Sequence, residues 1–164
     1  MSKVILVSGG FDPLHKGHLD LLKQARQMGD HLSVGLNSDE WLIRKKGSPF
    51  MSQWDRMDLL MNLECVDHVV PFDDNDDTAK DFIEKAIASH GIDHKFIFAN
   101  GGDRTEENIP EMELREKYSF ANLEFVFGVG GKKTYSSSSI NSVQREWGDY
   151  KVIHAEDFAT VSYT

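Results

Sequence analysis

The sequence predicts an α/β protein: an open parallel sheet with helices on both faces. Three observations predict it. Short β-rich runs alternate with helical patterns along most of the chain, apolar residues recur at three-four spacing within the helical patterns, and every unusual loop follows a strand run. At 164 residues the chain is near the commonest size for one domain and long enough to bury a full core. The apolar run Val4-Ile-Leu-Val7 sets the first strand at 3–8, and Leu19-Asp-Leu-Leu-Lys-Gln-Ala-Arg26 sets the first helix at 17–28. A second strand at 31–36 precedes a helix near 52–64, and a third strand spans 66–70. The next helix, 78–90, gathers Phe82, Ile83, Ala86 and Ile87 on one face, as an amphipathic helix does. After a fourth strand at 95–99, Asn108 before Ile109-Pro110 supplies an N-cap and an early-turn proline for a helix at 110–118. A fifth strand at 123–127 leads to a last helix near 137–147, patterned on Ile140, Val143 and Trp147.

In a Rossmann-like sheet of this kind, ligands bind at the carboxyl ends of the strands, near the switch in strand order. The loops 9–18, 37–51, 100–108 and 128–138 follow the first, second, fourth and fifth strands, so all four open at one edge of the sheet. There is no internal repeat and no linker. Residues 1–148 read as one domain, and 149–164 as a C-terminal extension of it with a short strand at 150–154.

Composition narrows the partners. Forty per cent apolar and 27% charged residues are ordinary for a soluble domain, and a net charge of −9 argues against nucleic acid or an anionic membrane surface. A local basic pocket remains compatible with that average. The single cysteine, Cys65, cannot form an internal disulfide and reads as a small buried hydrophobe rather than a nucleophile. The N-terminus lacks a basic stretch leading into an apolar signal core, and no run reaches membrane-spanning length, so a cytoplasmic address is expected.

The stretch Ser8-Gly-Gly-Phe-Asp-Pro-Leu-His-Lys-Gly-His18 is the least ordinary part of the chain. His15 and His18 lie three apart at the mouth of the first helix, a spacing that turns both rings toward one point if the turn is helical. A helix N-terminus favours an anion, and Gly9 and Gly10 allow the backbone to approach one closely. Together they describe a phosphate cradle with two imidazoles as added donors. Spacing alone leaves other readings open: metal ligands with Asp12, although a structural zinc site wants four ligands and no cysteine is near, solvent-facing helix residues, or an ordinary strand-helix turn.

Gly10-Phe-Asp-Pro-Leu-His-Lys-Gly-His18 resembles the HxGH signature of the nucleotidylyltransferase superfamily, in its cytidylyltransferase-like branch. That branch includes glycerol-3-phosphate cytidylyltransferase, the ethanolamine- and choline-phosphate cytidylyltransferases and heptose-1-phosphate adenylyltransferase. The likeness continues through Leu36-Asn-Ser-Asp39, Arg44-Lys-Lys-Gly47, Arg56, Val66-Asp-His-Val-Val70 and Gly101-Gly-Asp103, an ordered set far more specific than any one motif. It implies catalytic roles for His15, His18 and Lys46, and nucleotide binding by Gly9, Gly10, Phe11, Asp12, Gly17 and Asp103. Lys45 and Arg56 would reach phosphates of the nucleotide or acceptor, and Arg104 is a further candidate for an anionic acceptor. Without the resemblance, Arg44-Lys-Lys-Gly47 reads as a solvated surface run, Arg56 as an exposed helix arginine and Asn100-Gly-Gly-Asp-Arg104 as a turn.

Gly128-Val-Gly-Gly-Lys-Lys-Thr-Tyr-Ser-Ser-Ser-Ser-Ile140 is similar to the family's ISSS or ISTT motif, with Tyr135 in place of isoleucine and Ser136, Ser137 and Ser138 matching the hydroxyls. The arginine that the glycerol-3-phosphate enzyme carries upstream is replaced here by Lys132 or Lys133, and CTP and ATP both remain open. The Gly-Gly-Asp likeness leans toward a sugar-phosphate acceptor. The implied reaction joins CTP or ATP to a phosphorylated sugar or polyol and releases pyrophosphate. Its nucleophile is an acceptor phosphate, largely ionised at neutral pH with a second pKa near ~6, which needs no general base. The resemblance further implies Mg²⁺ on the nucleotide, no protein metal cage, and a homodimer. Two competing readings are a non-catalytic nucleotide sensor of the same fold and an NAD-dependent oxidoreductase. The latter suffers because Gly128-Val-Gly-Gly lacks the full G-x-G-x-x-G spacing.

Overall fold

A computed structural model describes residues 2–102, 104–105, 107–118 and 122–131. The described chain runs β1 (Lys3–Gly9), α1 (Lys16–Gln27), β2 (His31–Leu36), α2 (Asp39–Lys46), α3 (Gln53–Met61), β3 (His68–Pro71), α4 (Lys80–His90), β4 (Lys95–Ala99), a 3₁₀ turn (Pro110–Glu113), α5 (Leu114–Lys117) and β5 (Leu123–Val126). The five strands form one sheet in the order β3-β2-β1-β4-β5, every pair parallel. The predicted Rossmann-like sheet is therefore the observed one, with its order reversing at β1.

Period-two alternation explains the unbroken apolar run of β1. Val4 and Leu6 face one core with Phe82, Ile83 and Ile87 of α4 and with Leu114 of α5. Ile5 and Val7 face the other, with Leu22 and Ala25 of α1 and Leu60 of α3. Both faces of the strand are covered, so no polar position is needed. Gly35 on β2 is required by close approach: a Cβ there would lie 2.6 Å from the fully buried Phe82 ring.

Strands at 31–36 and 95–99 have the expected bounds, and β1 runs one residue longer than expected. The third strand starts later than the apolar pattern suggests, at His68, because the Val66 amide closes the turn after α3 on Leu63 O. The helix expected near 52–64 is shorter, with Ser52 as its cap and Asn62 as its end. The segment expected as one helix at 110–118 splits into a 3₁₀ turn and one turn of α-helix. The larger correction is α2, which lies inside what reads as a loop at 37–51. Ser38 caps it through Trp41 N at 3.1 Å, Asp39 and Glu40 occupy its first turn, Arg44, Lys45 and Lys46 its last, and Gly47 ends it at φ 94°. These are end signals, but only Leu42 is buried, so no apolar stripe announces the helix. The helix expected near 137–147 and the segment 149–164 lie outside the described residues.

Candidate active site

The first loop turns from β1 into α1 through a reciprocal cap made of two histidines. His15, with extended backbone at φ −142° and ψ 177°, is the N-cap residue, and its Nδ1 accepts from His18 N at 3.3 Å. The His18 Nδ1 accepts in return from His15 N at 3.3 Å, and the two rings stack with centroids 3.7 Å apart and planes at 18°. The arrangement is the capping box with imidazoles in place of hydroxyl and carboxylate. An Nδ1 that accepts from an amide carries no proton, so a neutral ring bonded this way holds its proton on Nε2; the His15 Nε2 is itself buried. Phe11 meets the His18 ring edge-on, centroids 4.9 Å apart.

Both histidines line a cleft of about 450 Å³ at the carboxyl ends of β1, β2 and β4. Its floor is Gly9, Gly10, Phe11, Asp12 and Gly17, one wall is Trp41, Lys45 and Lys46 of α2, and the other is Asn100, Gly101, Gly102 and Arg104 with the turn 129–131. Gly101 is fixed by contact, since a Cβ there would lie 2.8 Å from Val129 O. The Lys46 ammonium donates to Asp12 O at 2.8 Å and pairs with Asp12 Oδ2 at 2.5 Å. Lys45 lies over the Trp41 ring at 4.6 Å. Arg104 donates to Asn100 Oδ1 at 3.3 Å and stands 3.8 Å from Glu111, whose carboxylate is buried. Three cations against Asp12 and Asp20 make the cleft locally basic in an acidic chain.

Two residues read as ligand contacts have other partners. The Asp12 carboxylate, 2% exposed, accepts from Phe50 N at 2.6 Å and Met51 N at 2.7 Å besides its pair with Lys46. It therefore moors the segment after α2 to the first loop. Arg56, expected to grip phosphate, is 1% exposed and does not line the cleft. Its guanidinium donates to Met51 O at 3.0 Å, to Gly10 O and Asn37 O at 2.8 Å each, and to Asp39 Oδ1 at 2.7 Å. Four bonds to three segments, the first loop, the β2–α2 junction and the stretch after α2, make it a latch beneath the cleft, and its burial explains why its donors are spent on protein acceptors. Asp103, Tyr135, Ser136, Ser137 and Ser138, together with Lys132 and Lys133, lie outside the described residues.

Sequence reasoning missed Trp41, Asn37 and Asn100. Trp41 went unseen with its helix, although Ser38 followed by two acids is an N-terminus signal. Asn37 donates to Asp74 Oδ2 at 3.0 Å, and the same buried carboxylate accepts from Ser38 N and Ser38 Oγ at 2.8 and 2.7 Å. That carboxylate binds the loop after β3 to the start of α2. No local pattern in Phe72-Asp-Asp-Asn-Asp-Asp77 singles out Asp74 among its neighbours.

The model of the cytidylyltransferase-like family matches residues 6–144. The bifunctional protein HldE of Pelobacter propionicus is 39% identical over 134 residues, which is 80% of this chain and 25% of that protein. The bifunctional protein HldE of Geobacter sulfurreducens is 34% identical over 149 residues, 90% of this chain and 28% of that protein. The chain thus spans about a quarter of the length of these curated relatives. A solved lipopolysaccharide core biosynthesis protein from Thermoplasma volcanium shares the fold at TM-score 0.59 and 22% identity, over 83% of this chain and all of that one. Sequence match, sheet order and the paired histidines at the first strand-helix turn agree: the chain belongs to the cytidylyltransferase-like family.

Proposed function

We propose that the protein is a nucleotidylyltransferase that joins CMP or AMP, from CTP or ATP, to a phosphorylated sugar or polyol with release of pyrophosphate. The observation that carries this reading is the stacked His15–His18 pair, locked by its own cap and lining a basic cleft at the amino end of α1. In the reaction an oxygen of the acceptor phosphate attacks the α-phosphorus, the bond to the bridging oxygen breaks, and its electron pair leaves with pyrophosphate. An acceptor phosphate is already ionised, so the protein need not remove a proton. Its task is to bring two anions together and hold the charge that grows on the leaving group. His15 and His18 donate from Nε2 to the α-phosphate and bridging oxygen, and Lys46 neutralises the departing pyrophosphate. Lys45 and Arg104 hold acceptor or nucleotide phosphates, while Gly9, Gly10 and Gly17 let the backbone come close. By family likeness, Asp103 contacts ribose or acceptor, and Tyr135 and Ser136–Ser138 hold the phosphates.

Both carboxylates lining the cleft have cationic partners, Asp12 with Lys46 and Asp20 with Lys16. That donor set fits Mg²⁺ only as an ion carried in on the nucleotide and held largely by phosphate and water. When bound, the ion offsets phosphate charge. Homodimerisation and a cytoplasmic address belong to the same family-based reading; among the described residues no helix is long and apolar enough to cross a membrane.

The test is a panel of four nucleoside triphosphates against phosphorylated sugars and polyols, read by pyrophosphate release. One productive pair is expected, and binding of CTP or ATP with no pyrophosphate from any pair would instead identify a nucleotide sensor.

A further inference from the structure

At the opposite end of the sheet a second group of histidines converges. His31 opens β2, His68 opens β3, and His90 closes α4. The imidazole Nε2 of His31 lies 3.1 Å from Nδ1 of His68, and one ring nitrogen from each of His31, His68 and His90 falls within 4.8 Å of the others. The His31 ring is 4.7 Å from His68 and 5.1 Å from His90, centroid to centroid, in edge-to-face packing. His94, just before β4, stands 5.9 Å from His90 and extends the cluster across β1.

We propose that His31, His68 and His90 form a binding site for one first-row divalent transition metal of the kind imidazole prefers, with Zn²⁺ as the reference ion and the fourth position open to solvent. Around tetrahedral Zn²⁺, ligand nitrogens at ~2.0–2.1 Å from the metal stand ~3.3 Å from one another. The His31–His68 pair already has that spacing, and the third nitrogen needs a displacement of roughly 1–2 Å, within reach of a rotamer adjustment at a helix end. All three side chains are at least partly exposed, so an ion has an entry path. The rigid part of the site is the strand pair: Val34 to Val69 and Ser33 to His68 are in parallel register, which fixes the His31 and His68 backbones. The carboxylate of Asp67, beside His68, accepts from Leu32 N at 2.8 Å and pairs with Arg26 at 3.1 Å, which steadies the same corner. Histidines gathered at element ends by chance need not bring three ring nitrogens within 4.8 Å of one another.

This site is separate from the cleft. β2 starts at His31 and ends at Leu36, and at ~3.3 Å per residue its two ends stand roughly 17 Å apart. The bound ion would clasp β2, β3 and the end of α4, leaving turnover at the far edge unchanged.

The decisive measurement uses tag-free full-length chain stripped with EDTA. Zn²⁺ is titrated by calorimetry, and Co²⁺ by the visible absorption that tetrahedral nitrogen ligation produces. One equivalent is expected for the parent, with a higher melting temperature in Zn²⁺ than in EDTA. His68→Ala, at an exposed position, and His90→Ala should each weaken that binding by at least ~100-fold while retaining the parent fold. His15→Ala and His18→Ala should keep it. No stoichiometric binding to the parent, or binding that survives both His68→Ala and His90→Ala, or binding lost in His15→Ala and His18→Ala instead, would overturn the assignment.

Discussion

Arg56 offers the sharpest separation between holding the site together and touching its ligand. The side chain is buried, and its four hydrogen bonds end on three backbone carbonyls and the Asp39 carboxylate. Arg56→Ala strips all of them, leaving the Asn37 carbonyl buried and the other acceptors, among them the partly exposed Asp39 carboxylate, without their donor. Removing one partner of a buried charged pair costs ~3–5 kcal/mol, and the three carbonyls hold the estimate toward the upper end because each loses a charge-assisted bond. For a chain of this length ~2–4 °C is lost per kcal/mol, so the melting temperature should fall by about 10 °C or more. Arg56→Lys retains the charge but not the fork, reaches fewer acceptors, and should lose roughly half as much. Thermal and urea unfolding followed by circular dichroism measure this directly, with pyrophosphate release run in parallel below the transition. A phosphate ligand would give the opposite pattern. If Arg56→Ala melts within ~2 °C of the parent while nucleotide or acceptor affinity collapses, the guanidinium faces the ligand and the latch is wrong.

His18→Ala should remain folded, with pyrophosphate release down on the order of 10²–10³-fold and a small stability loss of ~1 kcal/mol from the broken cap; turnover at the parent rate would remove His18 from the chemistry. Gly35→Ala drives a Cβ to 2.6 Å from the Phe82 ring, so a loss of ~1–3 kcal/mol is expected in urea titration, and a neutral substitution would mean the ring is free to move. In metal-free protein, His31 and His90 have folded values lowered by burial from the ordinary 6.5. The unfolded chain therefore binds more protons below that pH, and the stability present above pH 6.5 is lost as pH falls through it toward the folded values. Melting temperatures in EDTA should drop from pH 7.5 to 5.5, and less so in His31→Asn/His90→Asn; an equal drop in both proteins would clear these rings of the effect.

Most of the sheet was legible because burial on both faces writes itself as unbroken apolar runs. Val4-Ile-Leu-Val7 and Phe96-Ile-Phe-Ala99 admit no other element of that length between turn signals. The weaker readings fail where an element is held by something other than an apolar stripe. Helix α2 rests on a serine cap, a glycine stop and the Asp74 and Arg56 bonds, and these partners come from 17 to 36 residues away. For the site, the histidines stood out because two imidazoles at a strand-helix turn have no packing reason to be there. The sequence could say that Arg56 is charged and close in the fold to the first loop, but not on which side of the backbone its guanidinium ends. That depends on the path of residues 37–51, which contains the unread helix.

The histidine cap also limits the chemistry. A ring whose Nδ1 accepts from a backbone amide at the start of α1 must be neutral for the cap to exist. Protonating the Nδ1 of either ring would place two donors face to face and open the turn. The cap thus favours neutral rings, which suits a reaction whose nucleophile arrives ionised and whose need is for fixed dipoles. The same bonds that start the helix set the tautomer that the phosphates would meet, so a substitution that restores only the cap, His15→Asn with a side-chain oxygen for Nδ1, should recover stability without recovering turnover. Recovery of both would show that the imidazole at 15 is a structural cap and that His18 alone faces the nucleotide.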